Sequence, residues 1–212
     1  MDSVFEMLEF NELHDVVQAL SAALEAKNSC TCGHSERVAE VALLLARQLK
    51  LPLSEQKRIH IGAHMHDIGK IGVPDAILDK PGRLTESEFA ILKRHPEIGS
   101  QILGAACWGQ RVIDIVRNHH EHYDGSGYPD RLRGTEISLG ARIVAVADAF
   151  DAITGPRPYR VARSIQQALE ELRRCSGTQF DPTVVDAMMR LMAKGELKVL
   201  NDATLTNGIN SA

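Results

Sequence analysis

A chain of 212 residues, 44% apolar and 25% charged, has the make-up of a globular protein with one large core or two small ones. Its 24 Lys and Arg stand against 28 Asp and Glu, a net charge of −4, which argues against a nucleic-acid coat or an anionic-membrane binder, and aromatics at 4% disfavour a stacking platform for long single strands. No apolar run approaches the ~18 residues of a membrane span, and the start, Met1-Asp2-Ser3-Val4-Phe5-Glu6, lacks the basic and apolar regions of a signal peptide.

Helical periodicity dominates, and no alternating run reads as a strand. Residues 4–27 carry a broken stripe of Val4, Leu8, Leu13, Val16, Val17, Leu20 and Leu24, and residues 34–50 place Val38, Val41, Leu44, Leu45 and Leu49 on one buried face. Pro52 and Ser54 mark a stop and a new N-cap before a helix over 55–66, followed by a Gly- and Pro-rich loop over 69–84. Thr85 with Glu88 forms a capping box that opens a helix to about 94. Pro96 breaks it, leaving His95 at its end, and a short helix runs toward Leu103. Further helices are predicted over 109–121, 138–153, 162–174 and 182–193, with a turn-rich stretch from Asp124 to Gly134 and a frayed tail from Asn201. The organisation expected is an N-terminal helix over 1–27, an all-α domain over 28–195 and a tail over 196–212. The cysteines, Cys30, Cys32, Cys107 and Cys175, read as free thiols in a reducing, cytoplasmic compartment.

Nine histidines, seven of them between His60 and His122, are the unusual feature. His66-Asp67 closes the stripe Ile59, Gly62, Ala63, His66, so an imidazole and a carboxylate meet at a helix end. Taken alone, such a pair is more often a buried hydrogen bond than a ligand pair. Other residues change the balance. His34 continues the stripe of Val38, Val41 and Leu45, while His119 and His120 sit about 100° apart on a helix and can reach one site. Asp148 lies in the apolar run Ile143 to Phe150, where an unpaired charge is costly. With His95, two carboxylates and five imidazoles suffice for two divalent metals sharing a bridge. His14, His60, His64 and His122 are left over and read as surface or supporting residues, although His60 and His64 share a helix face. Gly125-Ser126-Gly127-Tyr128-Pro129 is a stiff turn beside His119 and His120. Arg157-Pro158-Tyr159-Arg160 offers two guanidiniums suited to a phosphate or a guanine edge.

Together, His34-Ser35-Glu36-Arg37-Val38-Ala39, His66-Asp67, the run Lys70 to Asp75, Lys80-Pro81-Gly82, His119-His120-Glu121 and Asp124 to Pro129 resemble the HD-GYP family of HD phosphohydrolases over roughly residues 27–192. The resemblance implies a bacterial, all-α HD-domain bundle around a di-metal centre, holding iron or manganese, that hydrolyses cyclic di-GMP to linear pGpG by means of a metal-bridging hydroxide. It implies that Asp67 bridges two metals, one also held by His34, His66 and Asp148, the other by His95, His119 and His120. Lys70 matches the lysine near the scissile phosphate, Gly127, Tyr128 and Pro129 the family loop, and Arg157 and Arg160 the pair on the nucleotide. Expected partners are the cyclic dinucleotide and other cyclic di-GMP signalling proteins, with a homodimer allowed and no DNA, RNA or membrane.

One departure bears on metal count. Three-metal members carry Glu four residues before the first ligand histidine, where this chain has Cys30, a poor ligand for a hard cation until it deprotonates. Two metals and a reaction stopping at pGpG are therefore expected. The competing readings are a module that binds the dinucleotide or docks on a partner without turnover, a phosphodiesterase for a mixed cyclic GMP-AMP dinucleotide, and a phosphomonoesterase.

Overall fold

The computed structural model describes residues 10–27, 33–106, 108–155 and 163–195. Among the described residues the fold is all-α, with ten helices and no strand. In chain order these are α1 (Phe10–Lys27), α2 (His34–Gln48), α3 (Leu53–Met65), α4 (Asp75–Leu78), α5 (Glu86–Leu92), α6 (His95–Ala105), α7 (Gln110–Asn118), α8 (Leu139–Thr154), α9 (Ile165–Arg174) and α10 (Pro182–Ala193), with short 3-10 turns at Ile68–Gly72 and Gly134–Glu136.

Two apolar cores meet along α3. One joins Val38, Val41, Ala42 and Leu45 of α2 to the buried face of α8 (Ile143, Val144, Val146, Ala147), to α9 and to α10, and takes Ile59 and Ala63 from α3. The other gathers Leu13 and Val17 of α1, Ile61 and Met65 of α3, and Leu103, Trp108, Val112 and Val116. Each fully buried aliphatic side chain contributes about 1.5–3 kcal/mol relative to exposure, so α3 is held from both sides. The His66-Asp67 pair follows directly at its end.

Several boundaries differ from the sequence reading. The third predicted helix begins at Leu53, after Pro52 and before Ser54. The loop predicted over 69–84 contains the turn Ile68–Gly72 and α4. His95 does not end a helix; it starts α6 with Pro96 in the first turn, where the missing N–H of proline costs nothing. The helix predicted over 109–121 stops at Asn118, so His119 is its C-cap and His120 lies beyond it. On α1, Leu13, Val17 and Ser21 are buried, whereas Val16 and Leu20 of the predicted stripe are exposed. The capping box of Thr85 and Glu88 is present. Val4, Leu8, Cys30, Cys32, Cys107, Arg157 to Arg160 and the tail from Asn201 lie outside the described residues; Cys175 is a buried free thiol.

Candidate metal centre

The centre is built largely from helix ends. His34 is the first residue of α2, His66 caps α3, Asp67 opens the turn at Ile68–Gly72, His95 starts α6, and His119 caps α7. The carbonyl-rich ends of α3 and α7, which favour positive charge, and the N–H-rich starts of α2 and α6, which favour negative charge, all meet here. Asp148 reaches in from the middle of α8.

The histidine rings are aimed by their Nδ1 atoms. His66, His95 and His119 each bring Nδ1 to the carbonyl three residues earlier, at 2.6 Å (Ala63), 2.8 Å (Leu92) and 2.8 Å (Val116). Donation there fixes the tautomer and leaves Nε2 as the inward lone pair. His34 is aimed by a carboxylate instead, with its Nδ1 2.7 Å from Asp151 Oδ2. Asp151 is in turn gripped by Arg37, at 2.5 Å from Nε and 3.1 Å from Nη2.

The inward atoms fall into two groups. His34, His66 and Asp148 form one; Asp67, His95, His119 and His120 form the other; within each, the candidate donor atoms lie within 4.8 Å of one another. Asp67 touches both, because its Oδ2 is 3.4 Å from His66 Nε2 and its Oδ1 is 3.3 Å from His95 Nε2. Asp148 Oδ1 lies 3.4 Å from His34 Nε2, and His95 Nε2 lies 3.4 Å from His119 Nε2. Lys70 Nζ sits 2.5 Å from Asp67 Oδ2. His66 Nε2 is buried without a hydrogen-bond partner, an arrangement that is costly unless a ligand takes the lone pair.

The electrostatics follow from this crowding. Burial raises the Asp67 carboxyl, but Lys70 and then the surrounding imidazoles outweigh it and hold it well below the usual range. Burial lowers His34, yet its bonds to Asp148 and Asp151 prevail and raise it to about 9. His95 and His119 are lowered chiefly by burial, and His120 falls to about 3 by burial and then by His95. His95, His119 and His120, kept neutral beside ionised carboxylates, are in the protonation state that binds metal ions, whereas His34 must release a proton to ligate one.

The Gly127-Tyr128-Pro129 segment lies against the second group, with the Tyr128 ring centroid 5.0 Å from that of His120. Gly127 abuts the backbone of residues 121 and 122, where an added Cβ would fall 2.2 Å from His122 N and 2.5 Å from Glu121 Cα. Glu121, buried, accepts from the backbone N–H groups of Asp130 (2.6 Å) and Arg131 (2.9 Å), fastening the far side of the loop. Tyr128 and Pro129 line a cleft with Lys93, Arg94 and Arg131. Lys93 Nζ stands 5.7 Å from the Tyr128 ring centroid.

Sequence reasoning missed Asp151, the Glu121 clamp and the Lys93–Arg94 wall. A signal existed for Asp151, since it lies one helical turn beyond Asp148, as Arg37 lies one turn beyond His34. His64, assigned to a surface or supporting role, is 3% exposed and packs with His14 and His60, away from this centre.

The HD domain family model matches residues 18–184. The chain is 45% identical over 186 residues to a cyclic di-GMP phosphodiesterase response regulator, RpfG, of Xanthomonas campestris pv. campestris, covering 86% of this chain and 49% of that one. It is 40% identical over 180 residues to the 3'3'-cGAMP-specific phosphodiesterase 3 of Vibrio cholerae, covering 85% and 39%. The fold matches an HDG"Y"P protein from Bdellovibrio bacteriovorus with a TM-score of 0.64 at 23% identity, over 87% of this chain and 60% of that one. The chain thus spans about half the length, or less, of the curated relatives it matches.

Proposed function

The chain belongs to the HD-domain family, in its HD-GYP branch, and from that premise we propose that it is a metal-dependent phosphodiesterase that opens cyclic di-GMP to linear pGpG. The observation that carries the proposal is Asp67, whose two carboxylate oxygens face two separate groups of inward imidazoles.

The donor set fits two divalent cations, and the unpartnered, buried Nε2 of His66 supports that fit. In the proposal His34, His66 and Asp148 would hold one cation and His95, His119 and His120 the other, with Asp67, which faces both groups, available to each. Imidazole and carboxylate donors suit iron and manganese. When bound, such a pair supplies Lewis acidity to a phosphoryl group and lowers the pKa of water. Lys70, held at Asp67, adds a fixed positive group where negative charge develops on phosphoryl oxygens. Tyr128 and Pro129 give the neighbouring cleft an apolar edge, and Lys93, Arg94 and Arg131, outnumbering the one carboxylate of Glu97, give it a net cationic lining suited to a base and a phosphate of the dinucleotide. Arg157 and Arg160, proposed on the nucleotide as well, lie outside the described residues. The two-metal count and the stop at pGpG rest on Cys30, also outside them.

A mixed cyclic GMP-AMP substrate is the second reading, favoured by the identity to the Vibrio enzyme of that specificity. No helix among the described residues is long and apolar enough to cross a membrane, which is compatible with action on a soluble cytoplasmic nucleotide. The test is anaerobic purification, loading with iron(II) or manganese(II), and chromatography of products from equal concentrations of cyclic di-GMP and cyclic GMP-AMP. Linear pGpG as the main early product is expected. Intact dinucleotides bound to fully metallated protein would favour the binding module instead.

A further inference from the structure

Three histidines take no part in the centre at Asp67. His14 projects from α1, and His60 and His64 from successive turns of α3. Each offers a ring nitrogen within 4.8 Å of the other two. The ring centroids are 5.1 Å apart for His14 and His60, nearly parallel, and 5.2 Å and 4.7 Å for the edge-on contacts of His64 with His14 and His60.

Such rings could pack as an aromatic cluster and nothing more, but two hydrogen-bonding facts exceed packing. His64 is 3% exposed, and its Nε2 is buried with no hydrogen-bond partner. Native proteins rarely leave a buried polar atom unsatisfied without a ligand or water to meet it. His60 Nδ1 lies 3.3 Å from the Ala39 carbonyl; donation there leaves its Nε2 as a lone pair, the arrangement that orients metal-binding imidazoles. The two helices are also pinned where the rings meet, since Ser21 Oγ donates to the His64 carbonyl at 2.9 Å and Leu13 and Val17 pack in the core that holds Ile61 and Met65.

We propose that His14, His60 and His64 form an additional metal site, for a transition-metal dication of the zinc, nickel or cobalt class, that clasps α1 to α3. Three imidazole donors without a carboxylate select these ions over magnesium, calcium or manganese. Half-buried His14 and His60 leave a side open to solvent, where water completes a three-histidine tetrahedral site. The site shares no ligand with the Asp67 centre: His64 and His66 are two residues apart, about 200° round the helix axis, and face opposite directions. It stands whether or not the chain is a phosphodiesterase.

The test uses the full chain, stripped of metal and then loaded with zinc(II). Wild type should bind about one zinc more per chain than the His14→Gln/His60→Gln variant, by mass spectrometry. Zinc should also raise the melting temperature of wild type by roughly 5 °C or more beyond its effect on the variant. Should the double variant not fold, His14→Gln alone, at the half-exposed rim, should show the same losses. Zinc-edge anomalous scattering from zinc-saturated wild-type crystals gives an independent reading. A peak between the three rings is expected; no peak there, or equal stoichiometry and equal melting shifts, would overturn the site.

Discussion

Asp151 shows how far the centre depends on a residue that never faces it. Its carboxylate takes His34 Nδ1 on one oxygen and Arg37 on both, so His34 presents Nε2 inward in a single orientation. Asp151→Asn keeps the size but weakens that grip, and is expected to lower metal affinity and turnover by about 10–100-fold. Metal titration and kcat together check this, since a merely structural role would leave affinity per folded molecule unchanged. The same residues set a pH dependence in chelator-treated protein. His34 is raised to about 9, so its ion pairs stabilise the fold fully below the unfolded value near 6.5 and are lost as the pH climbs toward 9. His95, His119 and His120 are depressed, so below about pH 6.5 the unfolded chain takes protons that the native one refuses, and stability falls with acid. Denaturant melts should therefore peak near pH 6.5, and His34→Gln should flatten the decline between pH 6.5 and 8.5. An unchanged decline in that variant would assign it elsewhere.

Helix ends, more than helix faces, position the donors, and they are held by contacts between elements. Glu25 of α1 illustrates this: its carboxylate accepts from Gly33 N at 2.6 Å and Ser35 N at 3.0 Å, capping α2 from another helix at the turn where His34 begins. Glycines allow the closest approaches. A Cβ on Gly69 would fall 1.8 Å from the His95 carbonyl oxygen, and one on Gly127 would meet the 121–122 backbone. Gly127→Ala must push Tyr128 and Pro129 outward by an ångström or so, and is expected to cost on the order of 10²-fold in kcat/KM. Steady-state kinetics check this beside a melting curve; unchanged kcat/KM would remove the loop from substrate handling. Periodicity made the helices and the inward stripes of His34 and His66 legible. Their ends were less so. Asn118 and His119 carry no stop signal, and Pro96 reads equally as a breaker or as a first-turn residue, which reversed the place of His95. The spacing of Asp151 from Asp148 marked its inward face, but nothing local names its partners His34 and Arg37 more than 100 residues away, nor the neighbouring-loop partners of Glu121.

At the scale of the molecule, two cores flank α3 and the centre lies at its end, tied to α2, α6, α7 and α8. A cation binding there couples elements from both cores, so it should stabilise the whole fold. With each cation at about 100 times its Kd, the linkage is about 2.7 kcal/mol per site, or roughly 5–10 °C in Tm per site for a chain of this size. Stripping the metal should lower the melting temperature by that amount and re-addition should restore it, by calorimetry. The proposed chemistry depends above all on Asp67 as the carboxylate shared by two donor groups. Its most direct test is single-turnover hydrolysis of cyclic di-GMP by wild type and Asp67→Ala, each with metal content measured on the same sample. Metallated wild type should release linear pGpG, while Asp67→Ala should lose at least about 10³-fold in rate and bind less than the full metal complement. Wild-type rates from an Asp67→Ala protein would contradict the account.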